Sequence, residues 1–168
     1  MTTRRGRRTP LTVLRVASEP EIAATAAARL AERGIRALLI PPDLPQARRP
    51  SGPTLVPDSG QPARVLNEID GIMAGCAVGV AESGTIVLDA GPGQGRQAVT
   101  LLPDYFLCVV LAHQVVGLLP EVMPRLRPAV DAGRPLTFVS GPSATADIEL
   151  KRVRGVHGPR TLDVILAG

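Results

Sequence analysis

Aromatic side chains are nearly absent from this chain of 168 residues, which has no tryptophan and whose aromatic rings are those of Tyr105, Phe106 and Phe138. Its core must therefore be filled by Val, Leu, Ile and Ala, a composition typical of helices that cover a parallel sheet. Proteins that bind single-stranded nucleic acid stack the bases on aromatic side chains, and this chain has few to offer. The composition favours an α/β fold and argues against base stacking.

Cysteine is also scarce. Cys76 and Cys108 both lie in apolar sequence, which predicts buried, reduced thiols in a cytosolic protein. An iron–sulfur cluster usually needs four thiolates, so this chain cannot hold one by itself, and any electrons must pass through partner proteins. His113 and His157 are the two histidines, which is too few to indicate a metal site.

Long hydrophobic runs are missing as well, since no segment approaches the roughly 18 apolar residues of a membrane span or resembles a signal peptide. We therefore expect a cytoplasmic protein. The formal net charge is +4, and four arginines of the first nine residues account for it. Residues 1–9 are predicted to be a disordered basic tail with at most non-specific affinity for polyanions, and residues 10–168 a single domain.

The opening of the sequence follows a β-α-β pattern. Leu11–Val16 and Ile35–Ile40 are strand-like, and Glu21–Arg33 between them is an alanine-rich helix that begins with a capping-box spacing at Ser18 and ends before Gly34. Such a unit favours a right-handed crossover and a parallel pair of strands.

Prolines between residues 41 and 60 predict an irregular surface connection. Beyond it, apolar runs alternate with turn residues. They predict strands at Thr54–Val56, Cys76–Val80, Thr85–Leu88, Phe106–Leu111 and Leu136–Val139, a short helix at Pro62–Ile69, and a helix at Val115–Leu126 broken by Pro120 and Pro124.

Glycine- and hydroxyl-rich loops are the candidate sites. In the first, Glu82, Ser83, Gly84 and Thr85 place a carboxylate, two hydroxyls and open backbone at a strand end, although a plain β-turn with a solvated Glu82 explains them equally well. The second loop, residues 89–96, matches no nucleotide-binding spacing and is predicted to be a flexible turn, with Arg96 as a possible anion contact.

A third loop, residues 140–149, follows a predicted strand, where open α/β sheets bind ligands. Capping of a helical turn is the alternative explanation for its hydroxyls. His157 lies between two glycines on a tight turn and could act as an acid or base near neutral pH. The candidate ligand-binding residues of these two segments are Ser140, Gly141, Pro142, Ser143, Thr145, Asp147, Glu149 and Gly158.

Four segments taken in order, AESGTIVL (81–88), GQGRQAVTLLPDYFLCVV (93–110), SGPSATADIE (140–149) and RGVHGP (154–159), resemble the LUD domain of the lactate-utilization protein C (LutC/YkgG) family. The resemblance implies a Rossmann-like three-layer sandwich with a mostly parallel sheet, related to the sugar-isomerase (NagB/RpiA) and CoA-transferase-like group. The chain departs from the family pattern at Ala77, where members tend to have an acidic residue.

This resemblance also implies a role in the oxidation of L-lactate to pyruvate, in which this chain is a subunit without its own cluster and two iron–sulfur proteins are its partners. An alternative is an independent isomerase- or transferase-like enzyme for a phosphorylated or CoA-linked small molecule, with Glu82 as nucleophile or base. Either function requires the Glu82 turn, the 140–149 loop and the His157 turn to share one cleft that binds a small anionic ligand.

Overall fold

The computed structural model describes residues 12–140, 159 and 161–168. In chain order, the strands of this part are β1 (Thr12–Val16), β2 (Ala37–Ile40), β3 (Thr54–Pro57), β4 (Gly71–Gly75), β5 (Val78–Val80), β6 (Thr85–Leu88), β7 (Tyr105–Leu111), β8 (Val115–Val116), β9 (Thr137–Val139) and β10 (Thr161–Ala167). Its α-helices are α1 (Glu21–Arg33), α2 (Ala63–Leu66), α3 (Gln97–Leu101) and α4 (Val122–Asp131).

Six strands form a central sheet in the order β1-β10-β7-β4-β2-β3, and every neighbouring pair in it is parallel. All residues of β7, near the middle of the sheet, are buried, as expected for a parallel strand covered on both faces. The expected α/β class with a mostly parallel sheet is confirmed.

Different layers cover the two faces of this sheet. Helix α1 packs on one face, where Ile22, Ala26 and Leu30 are fully buried. The other face meets a small mixed sheet with the strand order β8-β5-β6-β9, in which β6 is antiparallel to both of its neighbours. Helix α4 packs against this second sheet through Val122 and Leu126. None of the described helices is long and apolar enough to cross a bilayer.

Helix α1 has the predicted bounds, and Gly34 ends it in the left-handed conformation with φ 70°. The predicted capping box is wrong, because the helix begins after Pro20 and no side chain caps its first amides. The Ser18 hydroxyl donates instead to the Glu21 carboxylate at 2.7 Å. Since proline has no N–H to cap and a fixed φ, it tolerates this position well.

The single broken helix expected over Val115–Leu126 is also wrong. Val115 and Val116 form β8 beside β5, a 3-10 turn follows at Leu119–Glu121, and α4 starts only at Val122. The Gln114 side chain turns the chain here: its oxygen accepts the Leu111 N–H at 2.8 Å and its amide donates to the Cys76 carbonyl at 2.6 Å. The bond to Cys76, which is distant in sequence, overrides the local pattern.

Several elements had no counterpart in the predictions. Strand β4, helix α3 and strand β10 are additional, and the strand expected at Cys76–Val80 begins only at Val78. The other predicted strands are present with small shifts in their bounds, and the helix expected at Pro62–Ile69 is reduced to α2.

Candidate functional site

The Glu82 turn joins β5 to the antiparallel β6. Gly84 has φ 63°, a conformation that glycine adopts without steric cost. Glu82 is exposed, and its backbone N–H donates to the Gly117 carbonyl at 3.2 Å. The first loop is therefore a hairpin turn that holds a solvated carboxylate at one end of the second sheet.

A chain of three hydroxyls connects this turn to the third loop. The Ser83 and Thr85 hydroxyls are 2.7 Å apart, and the Thr85 hydroxyl lies 2.8 Å from that of Ser140. Thr85 is buried, and the pairing of β6 with β9 brings Ser140 to it. Two of the predicted loops thus meet in space; we call Ser83, Thr85 and Ser140 the hydroxyl chain.

The remaining predicted residues of the third and fourth segments lie outside the described residues. They are Gly141, Pro142, Ser143, Thr145, Asp147, Glu149, His157 and Gly158, and the basic tail at residues 1–9 is outside them as well.

The predicted position of the third loop is wrong. The loop does not lie beyond the carboxyl end of a strand in the parallel sheet, because the preceding strand, β9, belongs to the second sheet and runs antiparallel to β6. The aliphatic run that suggested a parallel strand is partly exposed at this position, and Phe138 at the centre of β9 is 48% exposed. The carboxyl edge of the parallel sheet is built by other residues.

Arg96 is separated from the hydroxyl chain, because the loop that holds it follows the opposite end of β6, about 10 Å along the strand from Thr85. Its guanidinium makes a bidentate pair with Asp58, with Nε to Oδ2 and Nη2 to Oδ1 both at 2.8 Å, and also donates to the Gln61 carbonyl. This contact holds the pKa of Asp58 below its ordinary value, with a smaller contribution from the Gly60 N–H. Arg96 thus already contacts an anion within the protein.

A cleft of about 420 Å³ lies where Arg96 is found. Residues 42, 43, 58, 90–92, 95, 96 and 134 line it, and we call it the carboxyl-edge cleft. Asp58 follows directly on β3, and Asp43 lies shortly after β2, so the cleft occupies the carboxyl edge of the parallel sheet. Asp43, Asp58 and Arg134 were not predicted from the sequence, although an acidic residue soon after an aliphatic strand is a signal for the first two.

One wall of this cleft is a rigid polar cluster around Asp89. One oxygen of its buried carboxylate accepts the Gly91 N–H at 3.0 Å and the Gln94 amide at 2.6 Å, and the other accepts Nη2 of Arg134 at 2.8 Å. A Cβ on Gly91 would approach the Asp89 oxygen to 2.7 Å, so a larger residue at this position would displace the Asp89 carboxylate. Ala90 has φ 50°, which is unusual for a residue with a side chain.

In the described part of the chain, no group of three His, Cys, Asp or Glu side chains lies close enough together to hold a metal ion. Cys76 and Cys108 are both buried and unpaired. A contact with Cys76, reinforced by burial, raises the pKa of the Cys108 thiol. A protonated, buried thiol is a poor ligand and a poor nucleophile.

Comparison with known proteins gives a consistent result. The family model of the LUD domain matches residues 13–167. A Deinococcus radiodurans protein named "Lactate utilization protein C" is 50% identical over 103 residues, which are 61% of this chain and 49% of that protein. The Escherichia coli protein YkgG is 38% identical over 85 residues, 48% of this chain and 36% of that protein.

A solved structure agrees with the fold. The crystal structure of a DUF162 family protein from Deinococcus radiodurans superposes with a TM-score of 0.81 at 33% identity, covering 94% of this chain and 88% of that one. The chain spans about half the length, or less, of the two curated relatives described above.

Proposed function

We propose that this chain, which belongs to the LUD domain family, acts in L-lactate utilization. The observation that supports this function most directly is the 50% identity with a protein named for it. In this proposal the chain is the non-cluster subunit of a system that oxidises L-lactate to pyruvate, and two iron–sulfur proteins are its partners.

The chemistry of the reaction supports the assignment of the clusters to the partner proteins. Oxidation of L-lactate breaks the C–H and O–H bonds at C2 and releases two electrons and two protons. The two cysteines of this sequence are too few thiolates for a cluster, and Cys76 and Cys108 are buried away from solvent. The electrons therefore pass to clusters on the partner proteins, while this chain contributes binding and proton transfer.

The hydroxyl chain supports a role in ligand binding. Each hydroxyl can donate one hydrogen bond and accept others, so a linked row of three can reorient to suit a polar ligand. The Glu82 carboxylate precedes this row in the chain and is exposed to solvent. We propose Glu82 and His157 as the acid–base pair, and the hydroxyl chain with the 140–149 loop as the binding surface for a small anion.

Growth tests the function. Deleting the gene that encodes this chain should abolish growth on L-lactate as sole carbon source and leave growth on pyruvate intact. Complementation with the wild-type gene and with Arg127→Gln, which alters an exposed ion pair on α4, should restore it. Unchanged growth of the deletion strain on lactate would contradict the proposal.

Co-purification tests the partners. The tagged chain, isolated under anaerobic conditions from cells grown on L-lactate, should retain two proteins with the visible absorption of iron–sulfur clusters. If no iron accompanies the chain although lactate growth depends on it, the proposed partners are wrong while the role in lactate utilization stands.

A further inference from the structure

The carboxyl-edge cleft lies away from the hydroxyl chain, at the position where parallel sheets bind ligands. Ligands of open α/β sheets sit beyond the carboxyl ends of the strands, where loops supply the contacts. Asp43 and Asp58 follow β2 and β3 at this edge, and the Gly93 carbonyl accepts the N–H of Gly75 at the end of β4. At about 420 Å³, the cleft is within the size range of small-molecule sites.

Two guanidinium groups in the cleft are fixed in place and retain free donors. Arg96 uses Nε and Nη2 on Asp58, and Arg134 uses Nη2 on Asp89. Among the described residues, Nη1 of each arginine has no hydrogen-bond acceptor. Each guanidinium is thus pre-oriented by a carboxylate while it presents unused N–H groups, the arrangement that suits recognition of an anionic oxygen.

A carboxylate in the same cleft retains a free acceptor. Asp43 Oδ2 accepts the Gly93 N–H at 2.8 Å, which fixes the side chain, and Oδ1 has no donor within the described ranges. Asp58 cannot serve in this way, because its two oxygens are occupied by Arg96 and the Gly60 N–H. The lining of the cleft therefore combines N–H donors with one carboxylate acceptor.

The lining of the cleft also includes a residue in an unfavourable backbone conformation. Ala90 has φ 50°, which costs about 1 kcal/mol for a residue with a Cβ. Such strain persists where the surrounding structure enforces it, and it is concentrated at functional sites. Here the Asp89 cluster enforces it through bonds to Gly91, Gln94 and Arg134.

From these features we propose that the carboxyl-edge cleft binds a small hydroxy carboxylate. The free Nη1 groups of Arg96 and Arg134 donate to its carboxylate, and its hydroxyl donates to Oδ1 of Asp43. Both arginines are already paired with carboxylates, so they attract the carboxylate of the ligand only at short range, and we expect a modest affinity for the ligand. The inference goes beyond the proposed function, because this binding place is separate from the hydroxyl chain; its ligand class rests on that function.

A series of ligands tests the recognition of the carboxylate and of the hydroxyl separately. The isotopically labelled protein is titrated by NMR with L-lactate, with propionate, which lacks the hydroxyl, and with 1,2-propanediol, which lacks the carboxylate. L-lactate should shift the amide signals of Gly91, Gly93 and Gly95. Propionate should bind about tenfold more weakly because a bond to a charged acceptor is lost, and propanediol should not bind measurably.

Matched variants test the residues. Asp43→Asn keeps an oxygen for the Gly93 N–H but removes the charged acceptor, so it should reduce lactate affinity about tenfold and leave propionate affinity unchanged. Asp131→Asn, at an exposed position on α4, should preserve the difference between the two ligands. Thermal melting of each variant verifies that the fold is intact.

The outcomes also distinguish this inference from the function. Equal binding of lactate and propionate to the wild type, binding of inorganic phosphate without binding of lactate, or no shifts at the cleft glycines would overturn the inference. Any of these results combined with loss of growth on lactate in the deletion strain leaves the proposed function standing. Specific lactate binding in the cleft combined with normal growth of that strain supports the site and rejects the function.

Discussion

The phenol of Tyr105 donates a 3.0 Å hydrogen bond to the carboxylate of Asp163 inside the central sheet. Asp163, in β10, is fully buried and also accepts hydrogen bonds from Arg29 and Arg33 of α1. Burial favours its neutral form, but the two arginines and the phenol outweigh that effect and hold the pKa of Asp163 below its ordinary value. One buried carboxylate thus ties helix α1 to the neighbouring strands β10 and β7.

Replacing this carboxylate should destabilise the fold strongly. Asp163→Asn keeps the shape but leaves Arg29 and Arg33 without their buried counter-charge, and breaking a buried pair in this way costs about 3 kcal/mol. Denaturant unfolding followed by circular dichroism measures the loss. Asp131→Asn, whose ion pair is exposed, should change the free energy of unfolding by less than about 0.5 kcal/mol. Equal losses for the two variants would show that the cluster is not important for stability.

Alkaline pH should weaken the fold through Tyr105. Burial, the charge of Asp163 and the hydrogen bond to it raise the pKa of Tyr105. The folded state therefore keeps a proton that the unfolded state releases above pH about 10, so this stabilisation is complete below that pH and is lost above it. Above that pH, each such proton lowers the free energy of unfolding by about 1.4 kcal/mol per pH unit.

The control for this pH dependence is Tyr105→Phe. Cys108 also has a raised pKa, so the wild type loses stability at high pH for more than one reason. The difference in slope between wild type and Tyr105→Phe isolates the phenol, and identical slopes above pH about 10 would contradict the prediction.

Local sequence was sufficient to predict an element when both its apolar pattern and the residues that end it lie within the element or next to it. Helix α1 could be predicted with its bounds because its buried positions repeat at helical spacing and Gly34 stops it. The segment after Gln114 could not, because its path depends on bonds from one side chain to Leu111 and to Cys76, which is distant in sequence. Strand β4 was missed since glycines at both of its ends weaken a strand pattern.

In the candidate site too, residues with a local signal were predicted and contacts between distant segments were not. Ser83 and Thr85 were identified from their own loop, and the pairing of β6 with β9 brings Ser140 to them. Arg96 was identified as an anion contact, but the sequence could not show that Asp58 is already its partner. Arg134 had no local indication at all, because its role depends on Asp89 in a different segment.

Removing the side chain at the strained position should stabilise the protein. Ala90→Gly relieves the cost of φ 50° and should raise the free energy of unfolding by up to about 1 kcal/mol. The same change at exposed Ala28 in α1 should lower it by about 1 kcal/mol, because glycine is a poor helix former. Thermal denaturation of the two variants, measured side by side, should show shifts of opposite sign. A loss of stability in both would show that Ala90 is not strained.

Thr85→Val tests whether the hydroxyl chain has a functional role as well as a structural one. The change removes the middle hydroxyl and leaves those of Ser83 and Ser140 without their shared partner, at a cost of about 1–2 kcal/mol. Thr100→Val is the matched control, since Thr100 is also buried and its hydroxyl bonds to the Gln97 carbonyl within α3. Both variants should lose similar stability in denaturant unfolding. Only Thr85→Val should impair growth on L-lactate when it replaces the wild-type gene, because its loss alters the ligand-binding surface. Equal growth of the two strains, at equal protein levels, would restrict the hydroxyl chain to a structural role.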